Sequence, residues 1–241
     1  MKEELAYWLT EGALKMGLSL SKEQVEKFSL YAQLLLLEQE KLNLTAILTA
    51  KEIACKHFLD SLTCLTLLPY SLKNQAVIDL GTGAGFPGLP LKIAQPEIKL
   101  TLLEVKRKKV SFLQGLIKQL NIGEVQVINR RAEEIGQDNC YRDKFDYVVV
   151  RAVARLSVIL EYSLPLLKKG GFFIAWKGPA VNPELEEANR AMQFLGGKLR
   201  QVAAIRLPFL NAERRLVIVQ KIGITPLRYP RRPGIPKKRP L

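Results

Sequence analysis

Histidine and cysteine are scarce in this 241-residue chain. There is one histidine, His57, and there are three cysteines, Cys55, Cys64 and Cys140, none in CxxC spacing. A zinc centre needs a cluster of such ligands, so no metal is expected. The odd, scattered cysteines read as reduced thiols and not as a disulfide framework. No apolar run approaches the roughly 20 residues that cross a bilayer, and Met1–Leu5 lacks the basic-then-apolar pattern of a secretory signal. A cytoplasmic protein that does not enter the membrane is expected. Acids are also in short supply: 23 Asp and Glu stand against 37 Lys and Arg, a net charge of +14. That surplus favours a polyanionic partner, and nucleic acid over an acidic membrane, because no lipidation signal or basic amphipathic helix is evident.

The chain is organised around Val77-Ile78-Asp79-Leu80-Gly81-Thr82-Gly83-Ala84-Gly85-Phe86-Pro87-Gly88. An apolar, β-branched run ends in an acid, and a glycine-rich turn leads into a helix start, which offers unpaired N–H groups. Gly83-x-Gly85-x-x-Gly88 matches a dinucleotide fingerprint. Asp79-x-Gly81-x-Gly83-x-Gly85 matches the acid-plus-three-glycines pattern of class I S-adenosylmethionine (SAM) methyltransferases. Spacing favours the second, since Gly81 is the first turn glycine and Phe86 then stands where a dinucleotide site wants glycine. Glu104 closes the next strand-like run, about 20 residues on, where a ribose-binding carboxylate is needed in either class.

Before the turn, residues 2–17 carry apolar positions at helical spacing, and a capping box at Ser21-Lys22-Glu23-Gln24 opens a helix to about Lys41. A second box, Thr49-Ala50-Lys51-Glu52, opens a helix that ends before Pro69. His57, Asp60, Ser61 and Cys64 share one face of it. A Ser-His-Asp hydrolase is rejected, because one helix face cannot align such a relay and no GxSxG elbow is present. The face packs on the rest of the protein, or makes a supporting contact to a substrate or to the Gly81 turn.

From Ala76 onward, strands near 76–80, 100–104, 125–128, 145–150, 171–176, 200–207 and 215–221 alternate with helices near 87–94, 107–121, 155–167 and 183–195. The pattern predicts an α/β, Rossmann-like fold with a mostly parallel seven-stranded sheet, closed by an antiparallel C-terminal hairpin. The expected layout is an N-terminal helical region over 1–70, a core over 71–222 and a basic, proline-rich tail over 223–241. The tail holds Arg228, Arg231, Arg232, Lys237, Lys238 and Arg239 without an acid, and its composition predicts disorder. Strand ends carry acids early (Asp79, Glu104) and bases late (Arg151, Lys177). The run Lys106-Arg107-Lys108-Lys109 opens a helix against its dipole, which suggests phosphate contact.

Taken together, Asn43-Leu44-Thr45, His57-Phe58-Leu59-Asp60-Ser61, the Asp79–Gly88 turn, Arg151-Ala152, Lys177-Gly178 and Glu213-Arg214-Arg215-Leu216 resemble, in order, the RsmG (GidB) family of bacterial small-subunit ribosomal RNA methyltransferases. The resemblance covers roughly residues 25–221. It implies a class I methyltransferase that uses SAM to methylate guanine N7 in 16S rRNA, acting on rRNA or a 30S ribosomal particle, as a monomer.

By position, the resemblance assigns Gly81 and Phe86 to the methionine and adenosine of SAM, and Asp79, Gly83 and Gly85 to the turn. It gives Glu104 the ribose hydroxyls, with Val105 and Lys106 nearby, and Ala132 and Glu133 the adenine end. Family members often carry Asp where Glu104 stands. Arg151 is expected beside the cofactor carboxylate or the incoming base, and no general base is expected. Arg151 and Lys177 are the positioning candidates, and Lys177, Arg214, Arg215, Lys108 and Lys109 the RNA contacts. The competing readings are an NAD(P)-dependent oxidoreductase and a non-catalytic RNA-binding protein with a methyltransferase fold.

Overall fold

Val77, Ile78 and Leu80 are the apolar centre of strand β1 (Ala76–Leu80), and the sheet is built outward from it. The structure is a computed structural model and describes residues 1–68, 72–151 and 154–241. The expected boundary near residue 70, and Ala152 of the Arg151-Ala152 pair, lie outside the described residues.

β2 (Lys99–Leu103) and β4 (Phe145–Arg151) flank β1 in parallel, with β3 (Val125–Ile128) outside β2 and β5 (Leu167–Lys177) outside β4. β6 (Gly197–Arg206) and β7 (Glu213–Lys221) form the expected hairpin. The order is β3-β2-β1-β4-β5-β7-β6. β7 is inserted between β5 and β6 and is antiparallel to both. The strand order reverses beside β1, and in such sheets ligands collect beyond the strand ends at that point.

Helices α1 (Lys2–Lys15) and α2 (Lys22–Leu42) contribute Leu5, Leu9, Phe28, Tyr31 and Leu35 to the same core cluster as Val77, Leu100 and Val149 of the sheet. The α2 capping box forms as its sequence predicts, with Gln24 Oε1 accepting from Ser21 N and Ser21 Oγ from Gln24 N.

The helix over residues 50–66, here α3, departs from expectation. It starts as α-helix (Ala50–Glu52), widens to π-helix (Ile53–Leu59), returns to α (Asp60–Leu62) and tightens to 3₁₀ (Thr63–Thr66). A π segment shifts the hydrogen-bond ladder and re-aims carbonyls, a device often found at functional sites. Helices α4 (Gly88–Ala94), α5 (Arg107–Gln119), α6 (Ala132–Gln137), α7 (Leu156–Ser163) and α8 (Asn182–Phe194) complete the core; α6 was not anticipated.

The tail corrects its composition. Arg142, buried after α6, donates to the carbonyls of Thr225, Pro226 and Tyr229. Arg231 donates through its backbone N, Nε and Nη2 to the fully buried carboxylate of Glu161 on α7, at 2.6–2.8 Å. Tyr229 and Pro236 are buried, and a short helix α9 (Ile235–Lys238) ends the fold. A segment too polar to fold alone is ordered here because the body offers it buried charges to satisfy.

Candidate active site

Asp79 ties the two ends of the glycine turn together. One carboxylate oxygen accepts from the Thr82 hydroxyl at 2.6 Å and from Gly88 N at 2.8 Å. The other is buried and has no hydrogen-bond partner among the described residues. Burial pushes the carboxyl up to about 6, against the pull of those two donors. A side chain at Gly88 would stand 2.9 Å from that carboxylate. Gly85 has φ +106°, and a Cβ there would meet Tyr31 Oη at 2.5 Å. The turn is thus glycine-rich partly because α2 and Asp79 crowd it. Tyr31 closes the contact by donating its hydroxyl to Ala84 O at 2.6 Å.

Phe86, assigned by the resemblance to the cofactor, lies on the helical side of the turn and not on the cleft wall. Its ring stacks on Tyr31 (5.3 Å, 6°) and on His57 (4.5 Å, 12°), and the Arg151 guanidinium carbon lies 4.9 Å from its centroid. It is 6% exposed and belongs to the N-terminal core cluster.

Arg151, at the end of β4, enters this cluster from the sheet. It donates to Asp60 Oδ2 at 3.2 Å, to Ser61 Oγ, and to the carbonyls of Lys56 and His57 in the π segment. Arg214 of β7 reaches the other Asp60 oxygen at 3.3 Å. Burial raises the Asp60 carboxyl, and the two guanidiniums oppose that rise. Trp176 Nε1 donates to Asp60 O at 2.7 Å. The His57 face therefore packs against the glycine turn through Phe86, one of the contacts its sequence allows. Cys64 is buried in the core and reaches this network only through its thiol, which donates to Ser61 O at 3.9 Å.

His57 is neutral. Burial, with Arg151 and Lys56 nearby, lowers it from 6.5 to about 3. Arg151 Nη2 faces Nδ1 at 3.5 Å and can only donate, which assigns the ring proton to Nε2, 2.7 Å from Thr45 Oγ1. The Thr45 of the Asn43-Leu44-Thr45 signature thus has a partner.

On the opposite side of the turn lies a cleft. Its apolar walls come from Leu80, Leu103, Val150 and Ile159, and Gly81, Glu104, Val105, Ala132 and Glu133 line it as well. Glu104 accepts from Gly83 N (3.1 Å) and from Lys106 N (2.8 Å), so the acid expected at the ribose is fixed by both neighbouring turns. Its hold on Gly83 N disfavours a pyrophosphate, which would need that donor. An apolar slot with two carboxylates and a close-approach glycine suits the adenosine of SAM, which brings hydroxyl and amine donors. Glu104, Glu133 and Gly81 are the groups that would hold it.

The basic candidates divide. Lys177 is drawn into a structural pair: its ammonium meets Glu184 Oε2 at 2.7 Å and donates to Ala154 O at 2.8 Å, and its side chain is 12% exposed. Glu184 also accepts from Leu156 N. Arg215 pairs with Glu213 at 2.6 Å, and Arg214 with Asp60. Lys108 is exposed and lines a groove between α2 and α5, away from the cleft, and Lys109 approaches Gly83. Arg131, just before α6, also lines the cleft; the sequence reading missed Ile159, Tyr162, Gly234 and Lys237, which complete the lining. No local motif marks them, because they arrive from α7 and from the tail by packing alone.

A family model described as rRNA small subunit methyltransferase G matches residues 24–217. The ribosomal RNA small subunit methyltransferase G of Pelotomaculum thermopropionicum is 46% identical over 237 residues, covering 98% of this chain and 99% of that protein. The protein of the same name from Carboxydothermus hydrogenoformans is 47% identical over 227 residues, covering 94% and 96%. Among solved structures, a SAM-dependent O-methyltransferase from Thermotoga maritima superposes with a TM-score of 0.53 at 16% identity, over 80% of this chain and 72% of that one, a likeness of fold.

Proposed function

This chain belongs to the small-subunit ribosomal RNA methyltransferase G family, and we propose that it transfers a methyl group from SAM to N7 of a guanine in 16S rRNA. The observation that carries the reading is Glu104, held between Gly83 N and Lys106 N at the end of β2 in a chain of which 98% aligns with a member of that family. The oxidoreductase reading is disfavoured by the same contact. An RNA-binding protein without catalysis is disfavoured by an intact turn and an intact ribose acid.

When bound, SAM supplies a methyl group that is electrophilic because it sits on a sulfonium. Guanine N7 offers a lone pair and no proton, so this chain needs no base; His57 is hydrogen-bonded to Thr45 and Lys177 is paired with Glu184. Catalysis then rests on orientation. Gly81 lets main chain approach the cofactor, and Glu104 and Glu133 orient its sugar and base. The resemblance gives Arg151 the cofactor carboxylate or guanine O6, and we keep that role as part of the proposal; its guanidinium is held by Asp60 and set against Phe86, on the other side of the turn from the cleft. Arg214, 30% exposed in its side chain, keeps donors for an RNA phosphate. The target base must be looped out to reach the cleft. The proposed substrate is 16S rRNA or a 30S particle, bound by a cytoplasmic monomer.

Labelled-methyl transfer to 16S rRNA and to 30S particles, with mapping of the product, tests this. One label on a guanine N7 is expected, and Glu104→Ala is expected to lose both labelling and S-adenosylhomocysteine binding. Label on another atom, or stabilisation by NADPH and not by S-adenosylhomocysteine, ends the reading.

A further inference from the structure

The cleft that the proposed function gives to SAM is not closed by the methyltransferase core alone. Two of its lining residues, Gly234 and Lys237, belong to the C-terminal tail. We propose that the tail is a working part of the cofactor site, with Lys237 supplying a hydrogen-bonding cation at the adenosine end. This inference rests on the placement of SAM in that cleft.

The tail divides into an anchoring part and a lining part. The anchor is residues 225–231. The guanidinium of Arg142 takes three of its carbonyls, Pro230 packs so tightly on Gly136 that a Cβ there would lie 2.6 Å from Pro230 Cγ, and Arg231 neutralises Glu161. Glu161 lies on α7 beside Ile159 and Tyr162, which themselves face the cleft. The anchor therefore fixes the tail to a helix that is already a cleft wall.

The lining part starts at Gly234. Its N–H donates to Glu133 Oε1 at 3.1 Å, and Tyr162 donates its hydroxyl to the same oxygen at 3.1 Å. Glu133, expected at the adenine end, is thus oriented by the tail. Three residues further on, Lys237 reaches the cleft from an exposed position and makes no ion pair among the described residues. The other charged groups there are Glu104 and Glu133, which accept, and Arg131 at the start of α6, an exposed guanidinium that can only donate. The carboxylates suit the hydroxyls and the exocyclic amine of adenosine, whereas its ring nitrogens need donors. Lys237 adds a donor from the tail, on a flexible stem, and with Arg131 offsets the two carboxylates.

The anchor and lining residues can be tested apart. A chain ending at Arg232 keeps Arg231, Tyr229 and the Arg142 contacts but loses Gly234 and Lys237. Lys237→Ala removes the cation alone. Calorimetry with S-adenosylhomocysteine and no RNA, with melting of the ligand-free proteins alongside, reads the cofactor site without the nucleic acid. Expected results are a Kd raised about tenfold or more by truncation and several-fold by Lys237→Ala, recovered in part by Lys237→Arg, with the ligand-free melt of Lys237→Ala unchanged. Unchanged Kd values for both variants, with a full chain that still binds, would overturn the role of the tail and leave the cofactor cleft standing. A full chain that binds no S-adenosylhomocysteine would overturn both. A loss confined to RNA affinity and its salt dependence would assign the tail to the nucleic acid and also overturn the proposal.

Discussion

The imidazole of His57 lies parallel to the ring of Phe86, with centroids 4.5 Å apart and 12° between the planes. A π-helical segment is thereby laid against the glycine turn, and the chain's one histidine is removed from acid–base chemistry.

The His57 ring should stay unprotonated through the neutral range. Its folded pKa, about 3, is below the 6.5 of an unfolded chain, so between those values the unfolded state binds a proton that the folded state lacks. Stability from this group is present above pH 6.5 and falls as pH falls. NMR titration of the imidazole should show no inflection near 6.5, and His57→Gln should flatten the pH dependence of the urea midpoint below that value. An ordinary titration would contradict the stacking.

Asp79 has the opposite sign. Its carboxyl is raised from 3.8 to about 6 in the fold, so the folded state holds a proton that the unfolded chain releases. Its contribution is present at low pH and is lost as pH rises through about 6. Asp79→Asn, whose amide oxygen can still accept from Thr82 and Gly88, should be the milder change at neutral pH. Asp79→Ala strands both donors and should cost about 1–3 kcal/mol in chemical denaturation, with weaker S-adenosylhomocysteine binding.

Removing Asp60 leaves the buried Arg151 without its carboxylate. Asp60→Ala should lose about 3–5 kcal/mol, the usual cost of breaking a buried pair from one side. The double change Asp60→Ala with Arg151→Met should recover part of it. Equal loss in the single and the double variant would show that the pair is not the cause.

Lys177 acts through its neighbours. Lys177→Ala releases Ala154 O and leaves Glu184 to hold Leu156 N alone. RNA turnover should fall several-fold in kcat/KM while the Kd for S-adenosylhomocysteine changes less than about twofold. A matching loss of cofactor affinity would move Lys177 into the cofactor site.

Much of this molecule is local in origin and therefore readable from the chain. The apolar run before Asp79, the capping box at Ser21 and the β6–β7 hairpin depend on neighbours a few residues away, and each forms where its residues predict; at Thr49 the side chain caps Glu52 N, but Glu52 takes the Thr49 hydroxyl and leaves the box half made. The spacing of Glu104 from the turn also survives into the fold, because parallel pairing of β1 and β2 brings their ends together. Other features depend on partners far along the chain. Phe86 faces Tyr31 and His57 because α2 and α3 pack over the turn, and no spacing around Phe86 encodes that. Lys177 donates to Ala154 O, 23 residues earlier, because β4 and β5 run parallel and end side by side.

The sequence by itself determined the strand–turn–helix, the two acids, the seven strands and the family. Only the tertiary structure decided the fate of the tail. Its prolines and uniform charge describe a chain that cannot bury itself, yet Glu161 and Arg142 are charged groups closed off from water whose hydrogen bonds must be met, and the tail meets them. Composition records what a segment lacks; whether a distant surface supplies it is settled by packing.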